Sequence, residues 1–90
     1  MADTRNSQEP AAVDNVLAER GSTYGPFQNN ADAAQEIKSA LRGGSSWHTL
    51  PSIEREALDL IATKLSRIVT GRPHRDNWID IEGYARLVLR

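Results

Sequence analysis

The stretch from Pro51 to Thr70 limits the fold more than any other part of the chain. At 100° per residue, Ile53, Ala57, Leu58, Leu60, Ile61, Ala62, Leu65, Ile68 and Val69 cover an arc of about 200°. One partner helix covers far less than that, so this helix belongs at the centre of a fold in which several neighbours share its surface. Pro51 and Ser52 mark its start, and Gly71 with Pro73 marks its end.

The remaining segments read as helices arranged around it. Val13, Val16 and Leu17 stand at helical spacing within a first short helix at 11–20, which Gly21 closes as a C-terminal cap. A second helix at 26–42 carries Phe27, Ala31, Ala34, Ile37 and Leu41 on one narrow, alanine-rich face, and Gly43-Gly44 ends it. A fourth helix at 76–89 has Asp76 as N-cap and places Trp78, Ile81, Tyr84, Ala85, Val88 and Leu89 on one side. No segment alternates with a period of two, and no internal repeat is visible. The expected class is therefore all-α: a compact bundle of four helices at 11–20, 26–42, 51–70 and 76–89, forming a single helical domain over 11–90. Met1 to Pro10 lack aromatic and β-branched residues and read as a disordered tail.

Ninety residues make a thin core. A chain of that size buries only about 60% of the surface that its unfolded form exposes, so a homo-oligomer is expected. Eleven basic and twelve acidic residues give a formal charge of −1, which argues against general nucleic-acid binding and leaves a small anion possible. With no cysteine there is no disulfide and no thiolate zinc site. The polar start and short apolar runs match neither a signal peptide nor a spanning segment, so the expected location is the cytoplasm, with no membrane partner.

Candidate chemistry lies on the polar side of the central helix. Glu56 and Asp59 are three apart there, and Thr63 and Arg67 continue the strip. Asp76 and Asp80 make a second pair on the last helix, and Gly83 extends it without a side chain, at a cost of about 1 kcal/mol relative to alanine. Side by side, the two helices would bring four carboxylates onto magnesium, an ion that prefers oxygen ligands. The plainer alternative leaves the carboxylates in solvent or paired with arginine. Lys64 falls inside the apolar arc; it either snorkels to the edge of the core or joins Arg67 against a phosphate or carboxylate.

The turn segment Glu19-Arg20-Gly21-Ser22-Thr23-Tyr24-Gly25-Pro26-Phe27 sets an arginine and an aromatic ring beside glycines. Such a turn can receive an anion and stack a base, although the plainer reading, that Tyr24 and Phe27 plug the end of the core, is the favoured one. Trp47 and Trp78 read as packing anchors. His48 and His74 stand in no metal-ligand motif, and Arg72, His74 and Arg75 form a basic loop that is either solvated or anion-binding.

Taken in order, ERGSTYGPFQNNA, SWHTLPSIEREALDLIATKLSRIVTG and DNWIDIEGYARLVL resemble a family of small phage proteins over nearly everything after the tail. More remotely, the chain is similar to the all-α nucleotide pyrophosphohydrolases of the MazG-like and dimeric dUTPase type. The shared elements are the Tyr-Gly turn, a lysine and arginine on the central helix, and an aspartate followed by Gly-Tyr on the last. The resemblance implies magnesium held by Glu56, Asp59, Asp76 and Asp80, with Glu56, Asp59 and Asp80 as catalytic residues if the protein is an enzyme. It departs from the pattern in one respect: Glu56-Ala-Leu-Asp59 supplies the second acidic element, but Gln35, Glu36 and Lys38 do not supply the first.

Two functions are expected to compete. One is a phage accessory protein that binds a nucleotide through Arg20, Tyr24, Lys64, Arg67 and Gly83, and sequesters a host-defence nucleotide signal without hydrolysing it. The other is a magnesium-dependent nucleoside triphosphate pyrophosphohydrolase. A helical module that binds only protein is the third alternative.

Overall fold

The computed structural model describes residues 4–90, with side chains from Ala12 onward except those of Ser22 and Tyr24. Every regular element is helical: α1 (Thr4–Tyr24), α2 (Phe27–Arg42), a 3-10 turn (Trp47–Thr49), α3 (Ser52–Thr70) and α4 (Arg75–Leu89). The all-α reading with four helices is what the chain adopts, and three of the four helix bounds fall within one residue of the pattern.

The first helix departs from it. α1 runs to Tyr24, so Gly21 lies inside the helix instead of capping it, and the backbone is helical from Thr4, through most of the expected tail at 1–10. Residues 1–3 lie outside the described residues. A glycine commonly ends a helix by turning left-handed. Here that residue is Gly25, at φ +83, the one positive φ in the described chain. A Cβ on Gly25 would collide with the main-chain oxygen of Thr70, so the turn between α1 and α2 rests directly on the end of α3. The Arg72 amide donates to the Thr23 carbonyl at 3.0 Å and fixes the same junction.

α3 packs against both α2 and α4, whereas α1 touches its neighbours only lightly. Two contacts show which parts of α3 face which neighbour. Ser66 donates to Asn30 of α2, and Asp59 pairs with Arg42 of α2; Lys64 pairs with Asp80 of α4. Around the helix the two sides lie roughly 160° apart, so α2, α3 and α4 form a layer with α3 in the middle and do not close into a ring. Two strips of α3 are left over. Leu58, Leu65 and Val69 occupy one, and Glu56, Thr63 and Arg67 the other.

The buried apolar residues are Ala34, Ala57, Ala62 and Trp47. Three of these four are alanines, and small side chains let helices approach closely. The ends of the core differ from expectation. Phe27 is 83% exposed, so it plugs nothing, and Trp78 is 60% exposed while Trp47 is 7%. Trp47 is therefore the single tryptophan anchor, with the Arg42 guanidinium over its ring at 5.2 Å. The molecule is long, at 53 × 30 × 23 Å with a radius of gyration of 16.8 Å, against about 12 Å for a compact chain of this length.

Candidate functional site

Helical phase places the polar strip of α3 on one side of the layer, and α4 completes that side. Lys64 Nζ lies 2.8 Å from Asp80 Oδ2, with the lysine side chain 14% exposed and the aspartate 42%. Of the two readings of Lys64, the one that sets it against a carboxylate agrees with this pair: the ammonium ends on Asp80 of the next helix and the side chain does not run out to open solvent. Arg67 follows one turn later on the same strip. Gly83 follows Asp80 by three residues, and a Cβ there would meet nothing within 4 Å. Nothing in the described chain therefore requires a glycine at 83.

The four carboxylates do not converge within one chain. Asp59 turns toward α2, where its Oδ2 accepts from Arg42 at 3.0 Å. Asp80 turns toward α3 and Lys64. Asp76 stands in the first turn of α4, its oxygen 3.6 Å from His74 Nε2. His74, not Asp76, occupies the N-cap position. Glu56 is exposed. Among the described residues no three His, Cys, Asp or Glu side chains lie close enough to hold a metal ion. The physical reason is the layer itself: Asp59 and Asp80 are drawn to cations on opposite flanks of α3, so the donor set does not fit a magnesium ion held by this chain alone.

Arg20 is placed elsewhere. It lines a cleft with Val16, Glu19, Thr23 and His74 between the end of α1 and the loop before α4, and that cleft includes neither Lys64 nor Arg67. The Tyr24 side chain lies outside the described residues. Of the five expected ligand contacts, Lys64 and Arg67 stand on α3 and Gly83 on α4, and the cleft that Arg20 lines contains none of the three. His74 and Arg75 border a further cleft with Ile68, Gly71, Pro73 and Trp78, and Arg72 and Arg75 are exposed, as the solvated reading of the basic loop expects.

Sequence reasoning missed a run of buried polar groups. Ser66 is 0% and Asn77 2% exposed. The Ser66 hydroxyl reaches the Asn30 amide oxygen and the Thr63 carbonyl, the latter at 2.7 Å, and the Thr70 hydroxyl donates to the Ser66 carbonyl at 2.7 Å. These bonds satisfy groups that would otherwise cost free energy on burial. The amide nitrogen of Asn77 is buried without a hydrogen-bond partner. A visible signal was present: Thr63, Ser66 and Thr70 recur at i, i+3 and i+7, a hydroxyl stripe beside the apolar arc.

No helix among the described residues is long and apolar enough to cross a membrane. Residues 10–90 match the family described as a domain of unknown function (DUF6378), and the chain belongs to that family. No curated protein and no solved structure matches it.

Proposed function

We propose that this member of the DUF6378 family binds a nucleotide on the polar side of the α3–α4 pair and retains it without hydrolysis, as a phage accessory protein sequestering a host-defence nucleotide signal would. The Lys64–Asp80 pair carries this reading. Asp80 fixes the Lys64 ammonium at 2.8 Å, so little side-chain freedom is lost when a phosphate approaches, although the phosphate must share or displace that carboxylate to reach it. Arg67 adds a second positive group three residues on along α3, and in this reading the ligand extends toward α4 at Gly83, where a Cβ would meet nothing within 4 Å.

The same geometry favours binding over turnover. Asp59 and Asp80 each accept from a cation, and a carboxylate so engaged is a weaker magnesium ligand than a free one. The sequence also lacks the first acidic element of the MazG-like pattern. Arg20 and Tyr24, on α1, remain candidates for the base end of the ligand in this reading.

Mass spectrometry of small molecules released by heating the purified protein, before and after exposure to a nucleotide mixture, tests the proposal directly. A bound, unmodified nucleotide is the expected result, with affinity falling about 10- to 100-fold in Lys64→Met, as loss of a charge-assisted hydrogen bond implies. Recovery of no nucleotide, together with no thermal shift on adding cyclic or linear nucleotides, would reject it. Pyrophosphate released with magnesium, and lost in Asp80→Asn, would replace it with a hydrolase.

A further inference from the structure

A nucleotide held by Lys64 and Arg67 needs a place for its base, and the cleft that Arg20 lines contains neither residue. The polar side of the α3–α4 pair offers one. The connection at 71–74 is short, so α3 and α4 run antiparallel, and a turn back along α3 is matched by a turn forward along α4. From the Lys64–Asp80 pair, one turn each way reaches Leu60 and Tyr84. Those two residues line one groove of about 250 Å³ with Ile53, Ala57 and Leu87. Whole small-molecule sites take about 300–1,000 Å³, so a groove of this size suits a single flat ring system.

Glu56 is the one charged residue of that lining. It stands two turns before Lys64, about 12 Å away along the helix axis. Among the described residues no hydrogen bond or ion pair engages its carboxylate, whereas Asp59 is held by Arg42 and Asp80 by Lys64. Glu56 is exposed and Tyr84 only half-buried, so a ligand can reach both. The groove therefore runs from positive charge at Lys64 and Arg67 to negative charge at Glu56. Its complement is a molecule with an anionic end, a flat ring and N–H donors on the far edge.

An ionised carboxylate only accepts hydrogen bonds. Guanine presents two N–H donors side by side, at N1 and at the 2-amino group, and meets a carboxylate through two parallel bonds. Adenine, cytosine and uracil each turn at least one acceptor toward the same oxygens, where lone pairs repel. We propose that this groove is the base subsite of the nucleotide site and selects guanine, with Tyr84 stacking on the ring and Glu56 accepting from N1–H and the 2-amino group. The assignment rests on the nucleotide reading, and it moves the base end from Arg20 and Tyr24 of α1 to the α3–α4 pair.

Calorimetric titration of the full chain with GTP, ITP, ATP and UTP, all without magnesium, tests it. GTP is expected to bind about 5- to 100-fold more tightly than ATP or UTP, the discrimination of one bidentate base contact. ITP, which lacks the 2-amino group, should fall in between. Glu56→Gln is the sharpest variant, because a carboxamide offers one donor and one acceptor and so matches adenine. It should lower GTP affinity and raise ATP affinity, an exchange that loss of structure would not produce. Lys64→Met should weaken all four ligands alike. Equal affinity for the four, lowered alike by Lys64→Met, overturns the guanine subsite and leaves the nucleotide reading standing. A GTP preference unchanged in Glu56→Gln also overturns it, because another group then reads the base. No binding of any of the four overturns both.

Discussion

Replacing Gly25 by alanine is the sharpest perturbation of this fold. The backbone there has φ +83, a conformation that costs an L-residue about 1–2 kcal/mol. The new methyl would also strike the Thr70 carbonyl oxygen, which is main chain and has little freedom. Moving it would pull on the last turn of α3, where the Gly71 amide donates to the Arg67 carbonyl at 3.0 Å, and on the Arg72 to Thr23 bond. Forced repacking of this kind adds about 1–3 kcal/mol. The sum is about 3 kcal/mol, and for a chain of this size each kcal/mol moves the melting temperature by about 4–8 °C. Thermal melting followed by circular dichroism, at fixed protein concentration, should therefore show a fall of about 12–24 °C. Gly21→Ala is the control: it lies inside α1 with nothing within 4 Å of a Cβ, so it should not lower the transition. A Gly25→Ala midpoint within about 4 °C of the unaltered protein would refute the claim that this glycine serves packing.

Other substitutions separate stability from binding. Gly83→Ala should stabilise α4 by about 1 kcal/mol, because the methyl enters open space, while weakening nucleotide binding in calorimetric titration; equal affinity would remove Gly83 from the site. A double-mutant cycle on Lys64→Met and Asp80→Asn, read by urea unfolding, should give a coupling of about 1 kcal/mol, and additive effects would deny the pair. Arg42→Met removes both the Asp59 bridge and the contact over Trp47, and should cost about 1 kcal/mol in the same assay with no effect on nucleotide affinity.

The sequence alone determined the helices and most of their limits, because helical periodicity and Gly or Pro punctuation act within a few residues. Gly43-Gly44, Pro51 and Gly71 end or begin helices as their local chemistry dictates. It also determined that Lys64 is out of place in an apolar arc, and that Glu56 and Asp59 share a strip. It did not reveal that Gly25, not Gly21, breaks the first helix, since that depends on the Thr70 carbonyl 45 residues away. Phe27 and Trp78 carry the same apolar signal as Trp47, yet only Trp47 found cover.

The candidate site divides in the same way. Helical phase fixes which side chains leave α3 in which direction, but not which neighbour waits there. Tertiary structure put α2 beside Asp59 and α4 beside Lys64, and so split the expected carboxylate cluster into separate ion pairs. It also left the broad apolar arc only partly covered, because two helices on opposite flanks of α3 cannot enclose about 200° of surface. Local pattern specifies a helix and its faces; only the packing of segments far apart in the chain decides what each face meets.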